Sequence, residues 1–212
     1  MNSNVVSYNH IKNNGKVVWK AELSPKDKER LRKVGITLPE QKMSDLRSIT
    51  ILCLNKLYRG IGLENSSKGI EIISVDDIKR PITLNSIGYI FYPVDNKHLS
   101  KKCYVFNDFL DYYAFKSYQN VCQAFPEKRD CYILCNPEEF ATLMVRTDVY
   151  SDIALFLPNN TYGRTMVLSL LDRNKAHVTD CSGCYKGYQF FRQFVSDWIN
   201  NTHHIVKERS SQ

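Results

Sequence analysis

The second half of the chain repeats one pattern, a short apolar run followed by a longer segment with apolar residues three and four positions apart. Short apolar runs bounded by turn residues predict buried strands, and the longer period predicts amphipathic helices. The predicted strands cover residues 102–106, 131–135, 153–157 and 176–179. A helix is predicted after each strand, and the last covers residues 188–200. Four such repeats predict an α/β fold, with a four-stranded parallel sheet and helices on both of its faces.

The first 99 residues are less regular. Apolar runs predict strands at residues 17–19, 49–54, 69–73 and 89–92. One short helix is predicted between the first two, because Ser24 suits the N-cap, Pro25 suits the first helical position and Gly35 can close the end. We therefore expect an α+β region over residues 1–99, the α/β domain over residues 100–200, and a flexible tail over residues 201–212.

Composition narrows the class of protein. Of the 212 residues, 43% are hydrophobic, enough for a sizeable core, so global disorder is not expected. No apolar run approaches the roughly 18 residues of a spanning helix, and the N-terminal segment lacks an apolar signal region, so we expect no membrane partner and a cytoplasmic location. The odd count of seven cysteines then favours reduced thiols.

The basic charge is confined to the start of the chain. Residues 1–60 hold 12 Lys and Arg against 5 Asp and Glu, whereas the remainder holds 17 of each. The predicted helix contributes five of these cations: Lys26, Lys28, Arg30, Arg32 and Lys33. Its basic face is either a surface that contacts the phosphate backbone of a nucleic acid or an ordinary solvated helix face.

Four cysteines raise the question of a zinc site. Cys181 and Cys184 have the spacing of a metal-binding turn, and Cys131 and Cys135 form a second pair. However, Cys131 and Cys135 lie on a predicted strand, where residues four apart are about 13 Å from one another. The alternative is that these cysteines are small buried residues and a pair in a loop.

In a parallel sheet, functional residues gather where the strands end. Here the segments after the strands contain Phe106-Asn107-Asp108-Phe109-Leu110-Asp111, Pro158-Asn159-Asn160-Thr161-Tyr162-Gly163-Arg164, and Asp180-Cys181-Ser182-Gly183. At these residues the chain resembles a Toprim domain, the module of bacterial primases and topoisomerases, and most of all the primase-like Toprim proteins of bacterial conjugative and mobilizable elements. The resemblance covers roughly residues 58–200. It rests on an ordered set of residues: Phe106, Phe109, Asp111, Asn159, Gly163, Arg164, Asp180, Ser182, Tyr185, Gly187 and Tyr188.

The chain departs from the family pattern at its acidic positions. Asn107 stands where the family has its catalytic glutamate, and Pro158 and Asn160 stand where it has two aspartates. Active relatives are expected to use these carboxylates to hold Mg²⁺, which requires hard oxygen ligands. We therefore predict that the family site, namely Asn107, Asp111, Pro158, Asn159, Asn160 and Asp180, is degenerate, binds no Mg²⁺ and neither cleaves nor polymerises nucleic acid.

The resemblance and the charge together indicate a role in DNA transactions of a mobile element, through nucleic-acid binding or as the partner of another protein. Lys26, Lys28, Arg30, Arg32, Lys33 and Arg164 are the candidate contacts with DNA. Another possibility is that the emptied site accepts a phosphate directly, at Asn107, Asn159, Asn160 and Thr161 beside Arg164. Two further alternatives remain: an enzyme that recruits metal through Asp111, Glu64, Glu71 or Asp180, and a scaffold for protein interaction. Tyr112, Tyr113, Tyr185 and Tyr188 are candidates for stacking on bases or for packing.

Overall fold

The computed structural model describes residues 9–11, 15–53, 55–74, 81–95, 100–122, 128–173 and 177–209. Within these ranges the chain forms two sheets and five α-helices, so the α/β class predicted from the sequence is confirmed.

The first sheet is built from the N-terminal part of the chain. Its strands are β1 (Asn9–Ile11), β2 (Gly15–Ala21), β3 (Arg47–Cys53), β4 (Lys56–Glu64), β5 (Ile70–Ile73) and β6 (Ile82–Leu84). They lie in the order β1-β6-β5-β4-β3-β2, and every pair except β1–β6 is antiparallel. Strand β2 is therefore an edge strand. Helix α1 (Pro25–Lys33) connects β2 to β3, followed by a 3₁₀ turn at Glu40–Met43.

The second sheet carries the repeated pattern. Its strands are β7 (Ile90–Tyr92), β8 (Lys102–Phe106), β9 (Asp130–Ile133), β10 (Asp152–Phe156) and β11 (His177–Asp180). They lie in the order β11-β10-β8-β9-β7, and β8 to β11 pair in parallel. The helices are α2 (Phe109–Cys122), α3 (Glu139–Arg146), α4 (Thr161–Arg173) and α5 (Phe191–Arg209). The sheet is thus mixed, because the edge strand β7 runs antiparallel to β9.

Alternate residues of the second sheet face two different cores. Tyr104, Phe106 and Phe156 pack in one cluster with residues of α1, α2 and α5, while Val105 and Leu155 pack in another with residues of α3 and α4. This alternation follows from the period of two along a strand. Helices therefore cover both faces, as predicted.

The division at residue 99 does not match the sheets. Strand β7 precedes residue 99 but pairs with β9 in the second sheet. The larger hydrophobic cluster also joins both parts, since it contains Leu31 and Ile61 as well as Phe109 and Phe191. A hydrogen bond from the Thr37 N–H to the Ser117 hydroxyl, 3.0 Å long, adds to this contact. The two sheets therefore share the larger hydrophobic cluster.

The start of α1 was predicted correctly from the sequence, whereas the end of α5 was not. The Ser24 side chain accepts the Asp27 N–H, Pro25 begins α1, and Gly35 has a φ of +82°, as predicted. The last helix, however, continues to Arg209, past the predicted end at residue 200. Past the predicted end, the Thr202 hydroxyl donates to the Trp198 carbonyl at 2.7 Å.

None of the helices in the described ranges has the length and apolar content that crossing a bilayer requires.

Candidate functional site

The ends of the parallel strands lie side by side, as the sequence predicted. Phe106 at the end of β8 is opposite Phe156 at the end of β10, and Leu155 is opposite Asp180 of β11. The segments that begin at Asn107 and Leu157 therefore emerge at the same edge of the sheet.

At this edge, Arg192 is held between two carboxylates. One guanidinium nitrogen lies 2.8 Å from the Asp108 carboxylate and 3.1 Å from the Asp111 carboxylate, and all three side chains are buried. The Arg192 backbone N–H also donates to Asp111 at 3.0 Å. The guanidinium carbon lies 4.1 Å from the centre of the Phe190 ring, so an aromatic face covers the group. This buried triad of Asp108, Arg192 and Asp111 closes the end of β8.

The triad changes how Asp111 can act. Burial raises the pKa of Asp111, and the neighbouring Asp108 charge raises it further, while Arg192 opposes both effects. The Asp111 carboxylate is only 1% exposed and its oxygen accepts two bonds from Arg192. The carboxylate of Asp111 is therefore already paired with the Arg192 cation. Sequence reasoning missed Arg192, because it lies about 80 residues away and only the side-by-side packing of α5 on α2 brings it here.

Asn107 lies just before α2 but does not cap this helix. Asp108 accepts the Asp111 N–H at 3.1 Å and so caps α2, while buried Asn107 donates to the Asp108 carboxylate at 3.2 Å. The Asn107 carbonyl accepts the Cys135 N–H at 2.9 Å. Asn107 therefore supports the capping carboxylate and is covered by protein.

In the loop after β10, Asn159 and Asn160 both form hydrogen bonds within the protein. The Asn159 side-chain amide donates to the carbonyls of Ser182, Tyr185 and Tyr188 at 2.9–3.2 Å. Asn160 caps α4 by accepting the Gly163 N–H at 2.9 Å. These contacts are structural, and they leave the Asn159 amide no donor for a phosphate. Pro158 is buried and contributes no side-chain ligand.

Asp180 and Arg164 lie at the surface. Asp180 accepts the Ser182 N–H at 2.9 Å and caps the 3₁₀ turn Cys181–Tyr185. Arg164 is exposed in the first turn of α4. Neither side chain joins the buried triad in any contact of the described residues.

The other acidic candidates lie apart from one another. Glu64 is exposed and pairs with Lys68 at 2.8 Å. Glu71 is buried in the first sheet, where it accepts from Asn65 at 2.8 Å and from Thr83 at 2.7 Å. Burial raises the pKa of Glu71 to about 7, against the effect of these two bonds. Within the described ranges, no group of three His, Cys, Asp or Glu side chains is arranged to hold a metal ion.

The cysteines and tyrosines behave mostly as core residues. Cys131, Cys135 and Cys181 are buried and Cys184 is exposed, and all are free thiols. Burial raises the pKa of Cys131 and Cys181 to about 12, which disfavours the thiolate that zinc requires. Of the candidate stacking residues, Tyr112, Tyr113 and Tyr185 are buried, so they are unavailable to a base, and Tyr188 is partly exposed.

The basic face of α1 is largely paired. Lys28 contacts Glu40 at 2.6 Å, Arg30 contacts Asp27 at 3.1 Å, and Arg32 contacts Glu29 at 3.2 Å. Arg32 and Lys33 are exposed to solvent. Among the described residues, no ion pair involves Lys26. The sequence therefore overestimated the charge that this helix offers to a partner, because it did not show which acids would fold back onto it.

A groove beside α1 brings Lys26 together with residues that the sequence analysis missed. Its volume is about 710 Å³, and the residues that line it are Val18, Trp19, Ser24, Lys26, Asp27, Arg30, Ser48, Ile49, Thr50, Leu57, Arg59 and Gly60. We call it the α1 groove. Trp19 is 49% exposed and Leu57 is 59% exposed. Arg59 is exposed as well, and no ion pair of the described residues involves it. A signal in the sequence was the aromatic Trp19 near Lys16 and Lys20.

No protein-family model matches the chain, and a search of curated proteins finds no similar sequence.

Proposed function

We propose that this protein binds nucleic acid and has no catalytic site at the strand ends of its second sheet. The observation that carries the proposal is the α1 groove, where Lys26, Arg59 and Arg30, the last paired with Asp27, line the same cavity as a half-exposed tryptophan. Cations supply the sequence-independent attraction to phosphates, and an exposed aromatic ring adds contact with bases.

The buried triad supports the non-catalytic part of the proposal. Mg²⁺ needs oxygen ligands that are open to solvent and to substrate. Asp108 and Asp111 are instead buried and already bound to Arg192. The positions that resemble the acidic positions of Toprim proteins are neutral here, namely Asn107, Pro158 and Asn160. The residues present do not fit the Mg²⁺ of that family.

The proposed role in a mobile element comes from the resemblance to Toprim proteins. A Toprim-like α/β domain without its acidic residues, joined to a basic sheet, suits a protein that holds DNA for other proteins of a mobile element. In this proposal the second sheet and its helices support the binding surface and offer contacts to a protein partner. The basic excess of residues 1–60 lies on the part of the chain that forms the α1 groove.

The test is a titration of labelled oligonucleotides, single-stranded and duplex, followed by fluorescence anisotropy. It is carried out at low salt, about 50 mM, with EDTA or with Mg²⁺. We expect saturable binding that is the same in both buffers. The absence of binding, or binding that requires Mg²⁺, would contradict the proposal. Calorimetry with Mg²⁺ and Mn²⁺ adds a direct measurement, because saturable metal binding abolished by Asp111→Asn would support an enzyme instead.

A further inference from the structure

We infer that the α1 groove binds single-stranded nucleic acid, with one base stacked on the Trp19 indole. The inference rests on the proposed function and names its substrate class and its site.

The position of Trp19 depends on a β-bulge. In the pairing of β2 with β3, Val17 is opposite Ile51, but Trp19 rather than Val18 is opposite Thr50. Without the extra residue, Trp19 would pair with Ile49, which is 1% exposed and packs in the apolar cluster of the first sheet. A bulge re-aims the side chains that follow it, and bulges are frequent beside functional sites. This bulge moves a large aromatic side chain from an apolar face to the exposed one.

On the exposed face of the first sheet, Arg59 lies in the same cross-strand row as Trp19. Trp19 is opposite Thr50, and Thr50 is opposite Arg59, so these three residues share one face of β2, β3 and β4. Neighbouring strands are about 4.8 Å apart, so the backbone positions of Trp19 and Arg59 are roughly 10 Å apart. Thr50, the small residue between Trp19 and Arg59, leaves space above the sheet at this point of the groove. A base on the indole and a phosphate at the guanidinium can therefore belong to one strand.

Helix α1 forms the opposite wall and is fixed to the sheet by polar contacts. The Ser48 hydroxyl donates to the Asp27 carboxylate and accepts the Ser24 N–H, the latter at 2.9 Å. These bonds attach the first turn of α1 to β3 beside Thr50. They place Lys26, which follows the N-cap Ser24, on the rim of the groove. The cationic wall is thus held by the fold before any ligand binds.

The shape of the site favours a single strand over a duplex. Trp19 lies within the edge strand β2, flat on one face of the sheet and not on a protruding loop, so its ring cannot insert between stacked base pairs. Only a base that is already unpaired can reach it. Stacking on an aromatic ring tolerates any base, so we expect little sequence preference. An acidic peptide would meet the same cations but would gain nothing comparable from the indole, and it serves as an alternative in the test.

The experiment uses the full chain and an oligodeoxythymidine of about 12 nucleotides, within the range of site sizes of single-strand-binding folds. We expect it to bind at least tenfold more tightly than a hairpin duplex and to quench the fluorescence of Trp19. The second tryptophan, Trp198, packs against Tyr118 at a ring distance of 5.0 Å and gives a constant background. Trp19→Ala should weaken binding about tenfold or more, and Trp19→Phe should retain most of the affinity but lose the quenching. Leu168→Ala, which removes a similarly exposed apolar side chain from α4, is the matched control and should change neither.

The outcomes separate the two proposals. Nucleic acid that binds with equal affinity as duplex, or with no effect of Trp19→Ala while circular dichroism shows a folded variant, would overturn the inference and leave the proposed function standing. Failure to bind any nucleic acid at low salt would overturn both. Tight binding of polyglutamate without binding of oligonucleotide would assign the groove to an acidic protein and would also overturn both.

Discussion

Arg192 and Asp108 form an ion pair of 2.8 Å in which both side chains are almost completely buried, 3% and 5% exposed. The pair joins the first turn of α5 to the cap of α2, at the edge of the sheet where α/β enzymes hold their catalytic groups. Burial removes the hydration of both charges, and this cost is offset only while the two charges are paired with each other. The ion pair therefore holds α2 and α5 together at this edge of the sheet.

Removing the cation should destabilise the protein strongly. Arg192→Met keeps a similar side-chain length but leaves Asp108 and Asp111 buried without a counter-charge. We expect a loss of about 3–5 kcal/mol in the free energy of unfolding at neutral pH, the range found when one partner of a buried pair is removed. Urea denaturation followed by circular dichroism measures it.

A triple variant provides the control. In Asp108→Asn, Asp111→Asn and Arg192→Met combined, no buried charge remains, and Asn can still cap α2. We expect this variant to recover most of the stability that Arg192→Met loses. If the two variants were equally unstable, the charges would not be the cause, and packing of the Arg192 stem would be.

The turn that begins α4 should tolerate no side chain at Gly163. A Cβ there would lie 2.0 Å from the Pro158 carbonyl oxygen, a backbone atom that cannot move aside cheaply. Gly163→Ala should therefore lower stability, although Ala favours a helix by about 1 kcal/mol over Gly. Gly183→Ala is the matched control, because nothing lies within 4 Å of a Cβ at that position. A melting temperature of Gly163→Ala at or above that of the unmodified protein would contradict the observed close approach.

The strands and helices of the second sheet could be predicted because local patterns determine them. Strand β8 was predicted with its observed bounds, and the cap of α1 was predicted to the residue. Strands β1, β4 and β6 were missed. Half of β4 is exposed and the rest contains two glycines, so it lacks the apolar run that indicates a buried strand.

The site could be predicted only in part. The sequence places Asn107, Asp111 and Asn160 at the strand ends, but it does not show that Arg192 pairs with Asp111 across 81 positions. Nor does it show that Glu29, Glu40 and Asp27 pair with the cations of α1. The groove depends on the bulge before Trp19, whose extra residue interrupts the period-two alternation from which the faces of a strand are predicted.

Glu71 should make the stability depend on pH. Burial raises its pKa from 4.5 to about 7, so the folded protein binds more protons than the unfolded chain between these values. The free energy of unfolding should therefore fall as the pH rises through this window, by roughly 3 kcal/mol at most from this group. Below the unfolded pKa the contribution is fully present, and above about pH 7 it is lost.

Glu71→Gln isolates this effect. The amide cannot ionise, so the stability of the variant relative to the unmodified protein should improve between pH 5 and pH 8, as measured by urea denaturation at both values. Glu64→Gln changes an exposed carboxylate of the same sheet and is the control. A difference between Glu71→Gln and the unmodified protein that is constant with pH would show that Glu71 is ionised in both states.

The most direct test of nucleic-acid binding through the α1 groove is the salt dependence of the affinity for a single-stranded oligonucleotide. Each phosphate contact contributes about 0.7 to the slope of log K against log salt for single strands. In the variant with both Lys26→Gln and Arg59→Gln we expect weaker binding and a slope smaller by about 1.4, whereas Lys101→Gln, on the exposed surface elsewhere, should leave the slope unchanged. Parallel lines for the unmodified protein and the double variant would contradict the assignment of the phosphate contacts to this groove.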